Sequence, residues 1–291
     1  MTDIVTLSNA NWDQRVTTTV QELAIDVLER GGVLLFPQLN FPLQDGEGQL
    51  LSPTIAGKRK NISLNPSTGA LRGSSVDEAN LQRLRNMMKR YAKSSRELLR
   101  NLLPYYETGL EQALTSFRPV EIAGRRTSRR QDDTRLHVDS FPSSPTQGRR
   151  ILRVFTNMNP DGHSRNWRLG ESFEGVARRY LPSVPGPVWG ADRALDWLGI
   201  TKRRRTDYDH YMLQLHDRTK ADATYQSQAS QCACEFQAGN TWVVFTDIVL
   251  HAAMSGQYAL EQTYHLPVDC MLDPSRAPLR ILENLLGREL A

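Results

Sequence analysis

The feature that most limits how this chain can fold is the stretch Thr134-Arg-Leu-His137-Val-Asp139-Ser-Phe-Pro142. It reads as a β-strand closed by a proline, and alternate side chains of a strand share a face. His137 and Asp139 therefore project together while Val138 turns away. An imidazole and a carboxylate side by side offer two ligands to one metal, so the fold has to deliver a third from elsewhere. The best-placed donor is His251, which ends the apolar, β-branched run Asn240-Thr-Trp-Val-Val-Phe-Thr-Asp-Ile-Val-Leu-His251. Two histidines and one carboxylate form the facial triad of non-haem Fe(II), with the opposite coordination positions open for substrate and O₂.

A His-x-Asp tripeptide alone is a weak signal, because such triplets arise by chance as surface pairs or satisfied core groups. Its context strengthens it. Phe141-Pro142 breaks the strand at once, and His251 falls where barrel closure near the C-terminus brings it back to the first pair. Other histidines compete for the third position. His163 lies in a turn-rich stretch, His210 and His216 in a helical one, and His265 inside the last strand, which makes it the main rival. Cys232, Cys234 and Cys270 are an odd count without a repeated spacing, which argues for reduced thiols rather than a disulfide framework or a zinc site.

The rest of the chain supplies elements for such a site. Thr17 to Arg30 has helical apolar spacing, is stopped by Gly31-Gly32, and feeds the short strand Val33-Leu-Leu-Phe36. Residues 38–70 read as loop, and Leu71-Arg72-Gly73 is a candidate to approach a pocket. Val76 to Leu103 is the longest helix, amphipathic and basic, suited to a membrane surface or, on the better reading, to supporting a sheet. Beyond Phe117 the period turns to β, with strands expected at 120–123, 135–139, 150–158, 164–169, 235–236, 241–249 and 259–266. These surround a helical insertion at about 173–224. The expectation is an α+β fold on one domain, residues 1–291, with a double-stranded β-helix (jelly roll) core and helices packed outside.

Composition bounds the setting. No apolar run approaches the roughly 18 residues needed to cross a bilayer, and the N-terminus lacks a secretory pattern, so residence in the cytoplasm is expected. A net charge of +4 is mild but clustered, in Lys58-Arg59-Lys60, Arg125-Arg126, Arg129-Arg130 and Lys202-Arg203-Arg204-Arg205. Such clusters attract anions, although most are simply solvated surface.

Open coordination positions imply a co-substrate. Iron with this ligand set commonly takes 2-oxoglutarate and then O₂, and the keto acid's far carboxylate needs a cationic partner if it is not to be buried unpaired. Ascorbate is a candidate reductant for the iron.

Four blocks carry a resemblance. Thr134 to Pro142, Arg149-Arg-Ile-Leu-Arg-Val-Phe-Thr-Asn157, Trp167-Arg-Leu-Gly-Glu171, and Thr241 to Asp247 followed by His251 to Pro267 together resemble the bacterial Kdo 3-hydroxylases. The similarity runs from Gly31-Gly32 to the C-terminus. It implies a Fe(II)- and 2-oxoglutarate-dependent dioxygenase that hydroxylates carbon 3 of 3-deoxy-D-manno-oct-2-ulosonic acid (Kdo) to give Ko. The implied partner is a Kdo-containing lipid A or lipopolysaccharide precursor at the cytoplasmic face of a Gram-negative inner membrane. Peripheral contact with that anionic membrane would suit the basic clusters, and no nucleic-acid partner is expected.

One position departs from the wider pattern. Many such oxygenases place an Arg or Lys about ten residues beyond the distal histidine to hold the far carboxylate, and here that residue is Glu261. Arg153, which shares a strand face with Phe155 and Asn157, is the leading replacement, with Asn157 and Gln262 as further candidates. Arg135, Arg168 and Lys220 are candidates to meet the sugar. The competing readings are a hydroxylase of a protein or small metabolite, and a cupin-like barrel that binds sugar or anions without oxidising them.

Overall fold

A computed structural model describes residues 2–57, 59–188 and 190–291; Lys58, noted in the first basic cluster, lies outside the described residues. The N-terminal third alternates short strands with two helices. Strand β1 (Ile4–Thr6) precedes helix α1 (Thr18–Glu29), whose cap Thr17 accepts a hydrogen bond from the Val20 amide. Gly31, at φ +82°, takes a conformation that side-chain-bearing residues avoid and turns the chain into β2 (Val33–Phe36). The stretch expected to be loop contains β3 (Ile62–Leu64), which pairs with β4 (Leu71–Arg72). Helix α2 (Glu78–Leu102) buries Leu84, Met87, Met88, Tyr91, Leu98, Leu99 and Leu102. That stripe faces β5 (Glu111–Arg118) and β11 (Ala259–Leu266), so the long basic helix supports the sheet and leaves only its charged side to solvent.

The remaining strands are β6 (Arg150–Asn157), β7 (Arg165–Leu169), β8 (Cys232–Phe236), β9 (Thr241–Phe245) and β10 (His251–Ser255). Between β7 and β8 stand α3 (Phe173–Tyr180), α4 (Ala191–Trp197), α5 (Asp207–Ala221) and α6 (Ala223–Gln228), where the insertion was expected. Helix α7 (Pro278–Leu286), which sequence periodicity did not suggest, closes the chain. The result is a mixed helix-and-sheet fold with a large sheet ordered β1-β2-β9-β6-β11-β5-β3-β4 and a small one ordered β10-β7-β8. Aromatic rings join the two: Trp167 of β7 meets Phe155 of β6 at 5.2 Å and Trp242 of β9 at 5.6 Å between ring centroids.

Three strand expectations change. Residues 120–123 are not a strand; the pairing falls earlier, in β5. The 241–249 run breaks after Phe245, because Asp247 turns inward to a buried ion pair with Arg150 at 2.6 Å, and His251 consequently opens β10 instead of ending β9. Residues 135–139 form no strand and join the small sheet only through an isolated antiparallel bridge between His137 and His251.

Candidate active site

That bridge builds the site. The His137 amide donates to the His251 carbonyl at 3.0 Å, the His251 amide returns a bond to His137 at 2.9 Å, and the Asp139 amide donates to Thr246 at 2.8 Å. Backbone pairing therefore brings together side chains over a hundred residues apart in sequence. Ligating atoms of His137, Asp139 and His251 all lie within 4.8 Å of one another. Each imidazole is oriented from behind: Nδ1 of His137 lies 2.6 Å from the Arg135 carbonyl, and Nδ1 of His251 lies 2.8 Å from the Val249 carbonyl. A carbonyl only accepts, so both Nδ1 atoms carry the proton and both Nε2 lone pairs face the cluster. Trp167 stacks on His251 at 5.1 Å, and His216 of α5 sets its edge against His137 at 5.3 Å.

Protonation states suit a metal. Burial, then the nearness of His251, pushes His137 well below its usual range; burial also lowers His251, though Asp139 opposes it. Both rings are neutral donors. Burial alone would raise Asp139, but the Arg153 guanidinium holds it below the ordinary carboxylate range. Its Oδ2 lies 3.2 Å from Arg153 and accepts no hydrogen bond of good geometry, leaving a lone pair available to an ion. This donor set fits Fe(II): nitrogen and oxygen ligands on one face, charged −1 in total.

Behind the triad lies a narrow cavity of about 50 Å³, walled by Arg118, Arg153, Arg165, Asp133, Phe155 and Trp167 among others. Glu261 sits between Arg118 at 2.6 Å and Arg153 at 3.0 Å, and Asp133 takes Lys60 at 2.9 Å and Arg125 at 2.6 Å. Arg165 differs. It is 2% exposed, its Nη1 donates to the Gly256 carbonyl at 3.1 Å, its Nε has no partner, and it forms no ion pair among the described residues. Burial, reinforced by Arg118, pulls its pKa down to about 9. Five cations, Arg118, Arg153, Arg165, Lys60 and Arg125, thus meet three carboxylates, Asp133, Asp139 and Glu261. The group carries an excess of positive charge even before Fe(II) is added, which suits a dianionic keto acid.

The other residues singled out in the sequence fall in different places. Arg153 lines the cavity, as its strand face suggested, but is shared between Asp139 and Glu261. Asn157 turns its amide to the carbonyls of His163 and Phe236, outside the cavity wall. Gln262 lies on the opposite face of β11 and bonds Thr115 at 2.6 Å, which corrects the expectation that it reaches the co-substrate. Arg168 is likewise directed away: Arg165, Trp167 and Leu169 take the inner face of β7, and Arg168 donates to the Thr134 carbonyl. Arg135 pairs with Asp132 at 3.3 Å, and its Nη1 donates to the Lys220 carbonyl. Lys220 is buried, donates to the Arg130 carbonyl at 2.9 Å, and contributes positive potential at both His137 and His251. His265 stays on β11 beside the Arg150 carbonyl, apart from the triad. Sequence reading missed Arg118 and Arg165, gave Trp167 no role of its own, and weighed His216 only as a rival third ligand.

Two neutral imidazoles, one carboxylate and a cation-lined cavity behind them define a non-haem iron dioxygenase with an α-keto acid co-substrate. No protein of curated function matches the sequence. A profile of the family described as 3-deoxy-D-manno-oct-2-ulosonic acid (Kdo) hydroxylase matches residues 11–289. Among solved structures, the chain is similar to the Kdo hydroxylase KdoO, a non-heme Fe(II) α-ketoglutarate-dependent dioxygenase, in complex with α-ketoglutarate and Fe(III). Identity is 48%, the match covers 99% of this chain and 97% of that one, and the TM-score is 0.96. Crystal structures of KdoO with cobalt(II), at TM-score 0.96, and with succinate and Fe(III), at 0.95, match over the same shares and identity. The chain belongs to the Kdo hydroxylase family, and Fe(II), 2-oxoglutarate and O₂ are its cofactor and co-substrates.

Proposed function

We propose that this chain hydroxylates carbon 3 of Kdo in a Kdo-lipid A or lipopolysaccharide precursor, giving Ko. In this reading residues 1–291 are one domain, the two facing sheets are a double-stranded β-helix, and residues 173–224 are its helical insertion. The observation that carries it is the convergence of His137, Asp139 and His251 beside buried guanidiniums, in a chain of this family.

His137, Asp139 and His251 would hold the iron, which together with 2-oxoglutarate supplies the two-electron oxidation of a sugar C–H bond by O₂. The chain's own groups set the conditions. Arg153 keeps Asp139 ionised, and the Arg135 and Val249 carbonyls keep both Nε2 atoms unprotonated. Arg165, the buried cation with no carboxylate of its own, receives the far carboxylate of the keto acid, with Arg118 and Arg153 beside it. Seating a keto acid in so small a cavity requires its wall side chains to adjust. Trp167 and Phe155 form the apolar wall that excludes water. Lys220 and Arg135, on the His137 side, meet the anionic sugar acid.

Incubation with Fe(II), 2-oxoglutarate, O₂ and Kdo-lipid A should add one oxygen to Kdo by mass spectrometry, with stoichiometric succinate. His137→Ala should lose both products and Fe(II) binding; full turnover in that variant rejects the assignment, and keto-acid turnover without a change in Kdo rejects the substrate.

A further inference from the structure

The segment 188–205 carries side chains that the oxygenase core does not use. Trp197, Leu198 and Ile200 are 85%, 60% and 53% exposed and adjoin in the chain, whereas the other exposed large apolar residues, such as Leu43, Leu114 and Val188, occur singly along the described chain. Scattered apolar residues are normal on a soluble surface; a cluster of this kind marks an interaction site. The run Lys202-Arg203-Arg204-Arg205 follows directly, and residues 188–205 hold five basic side chains against two acidic ones. Asp192 pairs with Arg204, while Lys202 and Arg203 are exposed and form no ion pair among the described residues. The segment is tied to the site. The Lys202 amide donates to Ser143 at 3.0 Å and Arg205 Nη2 to Pro142 at 2.5 Å, both just beyond the ligand Asp139.

A bare indole with leucine and isoleucine beside free cations is the composition that settles at a bilayer's headgroup layer. Self-association fits less well, because a twofold contact would set the same basic run against itself. We propose that Trp197, Leu198 and Ile200 insert into the headgroup layer of an anionic bilayer, with Lys202 and Arg203 on its phosphates. This extends the reading of a lipid-borne substrate by naming the surface that meets the membrane, and its test uses no substrate. The full-length protein is sedimented with vesicles of phosphatidylcholine containing phosphatidylglycerol, or of phosphatidylcholine alone. The anionic vesicles should bind it more tightly. Lys202→Ala with Arg203→Ala should weaken partition by about fivefold per cation removed, and Trp197→Ser with Leu198→Ser by at least tenfold, with unchanged unfolding midpoints and Co(II) affinity. Equal binding of wild type and both variants, no preference for the anionic vesicles, or a dimer in light scattering that Trp197→Ser dissolves would each overturn the proposal. Vesicle binding that responds to the variants in a protein inactive on Kdo would separate this surface from the hydroxylase reading.

Discussion

Replacing Arg165 by methionine should make the protein more stable and its co-substrate weaker, a pairing that few substitutions produce. Burial pulls this guanidinium from an ordinary 12.5 to about 9. At about 1.4 kcal/mol per tenfold change in proton affinity, the cation is disfavoured by on the order of 5 kcal/mol. Its one hydrogen bond, to Gly256, returns about 1 kcal/mol. A thioether of similar length keeps most of the packing, so Arg165→Met should raise the unfolding free energy by roughly 1–3 kcal/mol in urea melts. The same change removes the partner of the keto acid's far carboxylate. Two charge-assisted bonds at about 1.5 kcal/mol each amount to about a hundredfold in Kd. Anaerobic calorimetric titration of Co(II)-loaded protein with 2-oxoglutarate measures that directly. The Trp167 indole, stacked on His251 at 5.1 Å, offers a second readout by fluorescence. A variant that melts more easily yet binds 2-oxoglutarate as before would show that Arg165 is a structural cation and refute the reasoning.

His265 and Gly256 yield two further tests. Burial pushes His265 down to about 4, below its unfolded value of about 6.5, so on acidification the unfolded chain takes up its proton first. Stability is therefore lost as pH falls from about 6.5 towards 4, by about 2 kcal/mol at pH 5; His265→Gln should flatten that fall in urea melts at pH 7 and 5, and parallel curves would count against it. At Gly256, with φ +109°, an added Cβ would come 2.9 Å from Arg165 Cα. Gly256→Ala should cost roughly 1–3 kcal/mol of stability and weaken 2-oxoglutarate binding by displacing Arg165; an unchanged melting curve would disprove the contact.

What the sequence disclosed depended on how local each signal was. His137 and Asp139 share a face through a period of two residues, and α2 shows its buried stripe through a period near four, so both were legible. Arg165 was not, since one strand does not announce which face is inward; Trp167, two residues on, held the clue. Glu261 was set aside because an acid cannot bind an acid. Its value lies in the cations around it, and these come from β5 and β6, which no local pattern links to β11. The break after Phe245 was hidden for the same reason: an apolar run reads as one strand until Arg150 claims Asp247.

The reciprocal amide bonds between His137 and His251 have a mechanical consequence. An ion gripped by both imidazoles would fasten the same two points a second time, closing a loop of about 110 residues much as a disulfide does. On chain-entropy grounds such a fastener confers up to about 4–5 kcal/mol. Iron is then a rivet as well as a reagent, and chelation would loosen the lip that carries Asp139 before it disturbed the aromatic seam between the sheets.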